Sequence, residues 1–158
     1  MKAKSVEDSK VSMLVVMMPQ HANPAGNVHG GEIMKIMDNT AGVVARRHAR
    51  TNIVTARVDE MEFHQPIRVG DVVTCFGKLT FVGRSSMEIS VTVTVEDLSK
   101  EEPALTALTA FFTLVSLDAK GQPQPVPALE TSNEEERHAF EEGQRRYLAY
   151  RKKRKKSD

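Results

Sequence analysis

The sequence predicts an α+β fold in which a curved antiparallel sheet wraps one central helix, with a second helix at the C-terminus. Three patterns carry this expectation. An apolar stripe of helical spacing runs from Ile33 to about His48, four long segments of period-two alternation lie between Ile53 and Leu117, and a capped, charged helical pattern closes the chain from Ser132. One helix cannot cover so much half-apolar sheet unless the sheet curls around it.

The elements follow in order. Residues 1–9 form an N-terminal extension, 10–118 the main domain, 119–130 a Pro-rich linker and 131–158 the C-terminal helix with a basic tail. Val11–Met18 is a short apolar run that reads as a buried strand. Pro19, Pro24 and Gly26 restrict or break regular structure, so Gln20–Asn27 reads as a shaped loop. On the helix that follows, Ile33, Ile36, Met37, Thr40 and Val44 share one stripe, while Lys35, Asn39 and Arg46 lie opposite. Met34, Asp38, Ala41, Gly42 and Ala45 make a third face of small residues around one carboxylate, so the helix is expected to be largely wrapped.

Ile53–His64 alternates with a change of phase near Asp59–Glu60, which predicts a bulge. Asp71–Val82, Met87–Asp97 and Ala104–Leu117 are the remaining strands, and in the second of these Met87, Ile89, Val91, Val93 and Val95 alternate with polar partners, Glu88 among them. Gly and Pro make "DAKGQPQPVP" an extended linker. Ser132 followed three residues later by Glu135 predicts a capping box for the last helix, with acids in its first turns and bases in its last.

Composition narrows the function. The 158 residues are 40% apolar and 27% charged, a folded and soluble balance, and no apolar run reaches the roughly 18 residues of a membrane span. No signal-peptide pattern opens the chain, so a cytoplasmic protein is expected. The single cysteine, Cys75, excludes an internal disulfide and a multi-cysteine zinc site. A net charge of +1 is not that of a general polyanion binder, although Arg151–Lys156 is an unbroken basic run. That run reads either as a solvated helix end or as a phosphate contact.

Gly30 and Gly31 stand at the start of the first helix, where free backbone N–H groups and partial positive charge can hold an anion or a developing oxyanion. Asp38, about two turns on, is an ionisable group among Ala and Gly, a placement that calls for a partner or a purpose. His29 reads as a structural histidine or a site residue, and Asn23 and Asn27 as turn formers or ligands. His21, His29 and Asp38 match no metal-ligand motif, and no nucleophile elbow is present. The residues by themselves specify a ligand site at a helix N-terminus with a carboxylate nearby.

"MMPQHANPAGNVHGGEIMKIMDNTAG" together with "VDEMEFHQPIRVGDVVTCFGKLTFVGRSSMEISVTV" resembles the acyl-CoA thioesterases of the hotdog fold, in the subgroup of bacterial hydrolases and the brain-type long-chain enzyme. The resemblance covers roughly residues 10–117. It implies hydrolysis of a fatty acyl-CoA to the acid and CoA, with no cofactor, since CoA is part of the substrate. It further implies a homodimer as the catalytic unit, often assembled as a trimer of dimers. No nucleic-acid partner is expected, since such a reading rests only on Arg151–Lys156. By resemblance Asp38 is the general base or nucleophile and Asn23, from the opposite subunit, its working partner, with Asn27 as the rival asparagine. The N–H of Gly31 polarises the carbonyl, His29 neighbours the thioester, and Gly30, Arg84, Ser85, Ser86, Arg145 and Arg146 bind CoA. A non-catalytic acyl-CoA sensor on the same fold is the alternative.

Overall fold

A computed structural model describes residues 1–158. Five strands form one antiparallel sheet: β2 (Val11–Val16), β3 (Asn52–Phe63), β4 (Val72–Val82), β5 (Ser86–Glu96) and β6 (Leu105–Leu117), in the spatial order β2-β4-β5-β6-β3. Helix α1 (Gly30–Ala49) lies on one face, burying Ile33, Met37, Thr40, Ala41, Val44, Ala45 and His48. It approaches β4 closely at Gly77, where a Cβ would stand 2.9 Å from Thr40 Cγ2 and 3.1 Å from Val44 Cγ2. No larger residue fits there without moving the helix. Apolar side chains of β4, β5 and β6 close over α1 in a single core that includes Cys75.

Helix α2 (Glu134–Ser157) covers the opposite face of the sheet. Side chains alternate across a strand, so Ile89 faces α1 while Glu88 beside it faces α2. A register shift between Leu79 and Phe81 turns Phe81 outward as well, where its ring meets Phe140 and Tyr147 at centroid distances of 5.0 and 5.3 Å. Along its length α2 meets β4 through Glu135 and Lys78, β5 and β6 through Arg146, and β3 through Tyr150. The helix therefore crosses the sheet and ends above the edge strand β3. No helix is long and apolar enough to cross a membrane.

Five local expectations change. The first strand, Val11–Val16, is an edge strand and not a buried one, with Leu14 and Val16 exposed, because only β4 pairs with it. Helix α1 begins at Gly30, three residues before the apolar stripe, because two glycines can be helical when the next turn is anchored by Ile33. Its small-residue face is split, with Ala41 and Ala45 buried but Met34 and Asp38 exposed. The cap of α2 is Asn133, whose side chain accepts from the Glu136 N–H, while Ser132 donates to the Glu136 carboxylate; Glu135 is left to pair with Lys78. Glu88 is buried despite its place in the polar register, because α2 covers it.

The expected bulge in β3 is present. Register shifts fall between Thr55 and Arg57 and between Asp59 and Glu62, and Glu60 takes a φ of 56°. The N-terminal extension and the linker meet in a short parallel pair, β1 (Lys4–Ser5) with β7 (Leu129–Glu130). His48, at the end of α1, ties both down. Its Nε2 stands 2.6 Å from the Pro127 carbonyl oxygen, and the Lys4 ammonium donates to the His48 carbonyl at 2.5 Å.

Candidate active site

The loop before α1 is shaped by its own polar groups. A single 3-10 turn, Pro19–His21, is closed by the Met18 N–H donating to His21 Nδ1 at 2.9 Å. Asn23 Oδ1 then accepts from the N–H groups of Ala25 and Asn27, at 3.0 and 3.2 Å. Gly26, at a φ of 86°, supplies the reversal that a side chain would oppose. One carbonyl of Asn23 thus serves two turn amides, and its NH2 group makes no hydrogen bond within the chain. Asn27 is held by its backbone in a bridge to Arg68.

His29 occupies the N-cap of α1 and makes no side-chain cap bond. The first N–H groups of a helix have no acceptor inside it, so those of Gly30 and Gly31 remain open to an external oxygen. Nothing would lie within 4 Å of a Cβ at Gly31, whereas at Gly30 it would stand 3.3 Å from Phe63 Cζ. The helix start is open at Gly31 and roofed by an aromatic ring at Gly30. A cavity of about 410 Å³ opens beside it, lined by Asn27, Gly30, Ile33, Phe63 and neighbouring residues of the loop after β3.

Asp38 lies two turns further along α1, outside that cavity and exposed. Its Oδ1 accepts a hydrogen bond of 2.6 Å from the Thr55 hydroxyl of β3. Residue chemistry in the sequence points to Asp38 but not to Thr55, which sits in a strand 17 positions away; only the packing of α1 against β3 joins them. Asp38 and Asn23 share no hydrogen bond in one chain, since the partner of the first is Thr55 and those of the second are its own loop amides.

The hairpin between β4 and β5 carries Arg84, Ser85 and Ser86. Its backbone is firmly held: the Arg84 carbonyl accepts from Val126 N–H and the Ser85 carbonyl from Ser116 N–H, both at 2.9 Å. The Arg84 side chain is exposed and makes no ion pair. Ser86 pairs with Val115, which pairs with Val54, so the hairpin stands two strand spacings, about 10 Å, from the strand position beside Thr55.

The two arginines of α2 are differently placed. Arg146 donates through Nε and Nη2 to both oxygens of Glu88, at 3.0 and 2.8 Å, and stacks over the Phe111 ring at 3.8 Å. Its pKa is raised, first by those hydrogen bonds to Glu88. Arg145 is exposed and paired with Glu142. Arg146 is thus committed to a carboxylate of its own chain, and of the two only Arg145 projects into solvent.

Residues 25–102 match the model of the thioesterase superfamily. A cytosolic acyl coenzyme A thioester hydrolase of Mus musculus is 45% identical over 151 residues, which make up 95% of this chain and 40% of that protein; this chain therefore spans about two fifths of that relative's length. The structure of an acyl-CoA hydrolase of Staphylococcus aureus, in complex with butyryl coenzyme A, coenzyme A and coenzyme A disulfide, superimposes with a TM-score of 0.87 at 28% identity, covering 98% of this chain and 94% of that one. Variants of the S. aureus protein with alanine in place of an asparagine, an aspartate or a threonine have also been characterised structurally and biochemically. A hexameric thioesterase of Yersinia pestis is similar at a TM-score of 0.68 and 35% identity, over 73% of this chain and 93% of its own.

Proposed function

This chain belongs to the acyl-CoA thioester hydrolase family of the thioesterase superfamily, and from that footing we propose that it hydrolyses fatty acyl-CoA to the free acid and CoA. The observation that carries the proposal is the Asp38–Thr55 pair at the exposed side of α1. In the S. aureus hydrolase the replaced asparagine and aspartate are 15 residues apart, and the threonine lies 17 beyond the aspartate; Asn23, Asp38 and Thr55 repeat both intervals.

Asp38 then acts as general base, taking a proton from the water that attacks the thioester carbon, or as nucleophile through a mixed anhydride. The Thr55 hydroxyl fixes one carboxylate oxygen and leaves the other for the reaction. As the carbonyl oxygen gains negative charge, the Gly31 N–H at the head of α1 stabilises it, with Gly30 and His29 beside it. Collapse of the tetrahedral intermediate expels the CoA thiolate. The free NH2 of Asn23 holds the water or the thioester, and Arg84, Ser85, Ser86 and Arg145 offer donors to the phosphates of CoA. Water is the only co-reactant the balance needs.

The site is shared between subunits on this reading. Gly31 precedes Asp38 by seven residues, about 10 Å along the helix axis, so one copy's helix start and its own carboxylate are poorly placed to grip one carbonyl. Pairing the Gly31–Asn23 side of one subunit with the Asp38–Thr55 side of another removes that difficulty. The free edge of β3 is the natural seam, since Thr55 lies on it, and the Y. pestis relative is hexameric. A cytosolic location is proposed on the name of the mouse relative.

Release of free thiol from acyl-CoAs of increasing chain length tests the proposal. Asp38→Asn is expected to lower turnover by at least about a thousandfold in a folded oligomer, and Asn23→Ala to lower it too. Mixing the two inactive proteins restores part of the rate through mixed dimers. Tight acyl-CoA binding by the wild-type protein without thiol release would identify a sensor instead, and full activity in Asp38→Asn would remove that residue from the mechanism.

A further inference from the structure

The C-terminal turns of α2 carry charge that no packing contact consumes. Between Arg145 and Lys156 the helix holds eight basic residues and no acidic one; Arg146 is held by Glu88 and Arg145 by Glu142, which leaves the six of Arg151–Lys156 without an ion pair. Its packed length ends at Tyr150, whose ring lies 3.6 Å beneath the Arg57 guanidinium of β3, and Arg151–Lys156 are all exposed beyond it. The acids Glu134–Glu136, Glu141 and Glu142 occupy the other half. The helix is thus polarised lengthwise, with its basic end overhanging the sheet at β3.

The outward side of that end also has an apolar centre. Leu148 is 50% exposed. At helical spacing its surface neighbours are Arg145 and Arg151, three residues either way, with Lys152 four residues on and Lys155 seven. Gly143 and Tyr147, by contrast, turn toward the sheet at Phe81. A large apolar side chain ringed by cations suits a surface that is anionic outside and hydrocarbon beneath.

We propose that this end of α2 docks on an anionic lipid surface, with Lys152, Lys155 and Lys156 engaging headgroup phosphates and carboxylates and Leu148 entering below them. A nucleic acid fits less well, because single strands need aromatic platforms, and Tyr147 and Tyr150 are engaged with Phe81 and Arg57. The acidic half of α2 repels the same surface, so contact is confined to the outward side of its basic end. The docking does not depend on the hydrolytic reading, and the test uses no acyl-CoA.

Sedimentation of the full chain with vesicles decides it. The probes are vesicles of phosphatidylcholine alone and of phosphatidylcholine with a one-third share of phosphatidylserine, at low ionic strength. The wild-type protein is expected to sediment only with the anionic vesicles and to be released by added salt. Each basic residue near such a surface contributes about a fivefold gain in partitioning, so replacing Lys152, Lys153, Arg154, Lys155 and Lys156 together with Gln lowers binding at least about a hundredfold. Leu148→Ser lowers it severalfold. All six positions are exposed, and an unchanged melting temperature verifies the fold of each variant. Wild-type binding by the five-Gln variant, equal binding to both vesicles, or preferential salt-sensitive capture of RNA at matched phosphate concentration would each overturn the proposal.

Discussion

Thr55 gives Asp38 its only hydrogen bond, at 2.6 Å, and so fixes the direction in which the carboxylate points. A hydrogen bond to a charged group contributes about 1.5–3 kcal/mol, so Thr55→Val is expected to lower kcat by about 10- to 100-fold with little change in KM, while Thr55→Ser restores most of it. His48 makes a different prediction. Burial, first among the causes, lowers its pKa below the ordinary histidine value, against the opposing bond to the Pro127 carbonyl. Below about pH 6.5 the unfolded chain takes up a proton that folded His48 refuses, so stability falls as the pH drops from that value. Lys4 and Asp8 are the charged groups that bear on it. Denaturant midpoints at neutral and mildly acidic pH check this, and His48→Gln is expected to flatten the difference. Asp38 is legible in the sequence because a carboxylate among Ala and Gly is chemically out of place. Thr55 is not, since a threonine in an alternating segment looks like any half-buried strand residue.

At the level of elements, α2 is fastened to the sheet by a buried carboxylate and a missing side chain. Glu88 is 4% exposed, accepts the Thr80 hydroxyl at 2.6 Å and is gripped from above by Arg146. Arg146→Met leaves that charge covered without its partner and is expected to cost about 3 kcal/mol, while adding Glu88→Gln recovers part of the loss. A Cβ at Gly143 would stand 2.6 Å from Phe81 Cβ and 2.8 Å from Glu88 Oε1, so Gly143→Ala is expected to lift the helix and cost about 1–3 kcal/mol. Thermal unfolding measures both. The number, order and type of the long elements follow from periodicity alone, as does the bulge near Glu60. What periodicity misses is two-sided cover. Glu88 sits in the polar register of β5, and only the path of α2 reveals that this register is also roofed. Likewise Ser132 and Asn133 are both cap formers, and the choice between them depends on where the chain leaves the β7 strand.

For the whole molecule the decisive feature is the unpaired edge of β3. Val54 and Val58 are 42% and 39% exposed along a 12-residue strand that has a neighbour on one side only. Such an edge is a template for pairing with a second copy. In the proposed dimer Val58→Lys sets like charges against each other across the seam, and light scattering is expected to show smaller assemblies with turnover lost in parallel. A retained oligomer with normal turnover would place the seam elsewhere. Cys75 offers a quieter consequence. Its thiol is fully enclosed between the sheet and α1, and burial raises its pKa, so the native chain has no sulfur that a disulfide reagent can reach. In a thiol-release assay all the colour then comes from product. Once the barrel-like wrap opens, one equivalent of reagent reacts per chain, and the same cuvette becomes a clock for unfolding.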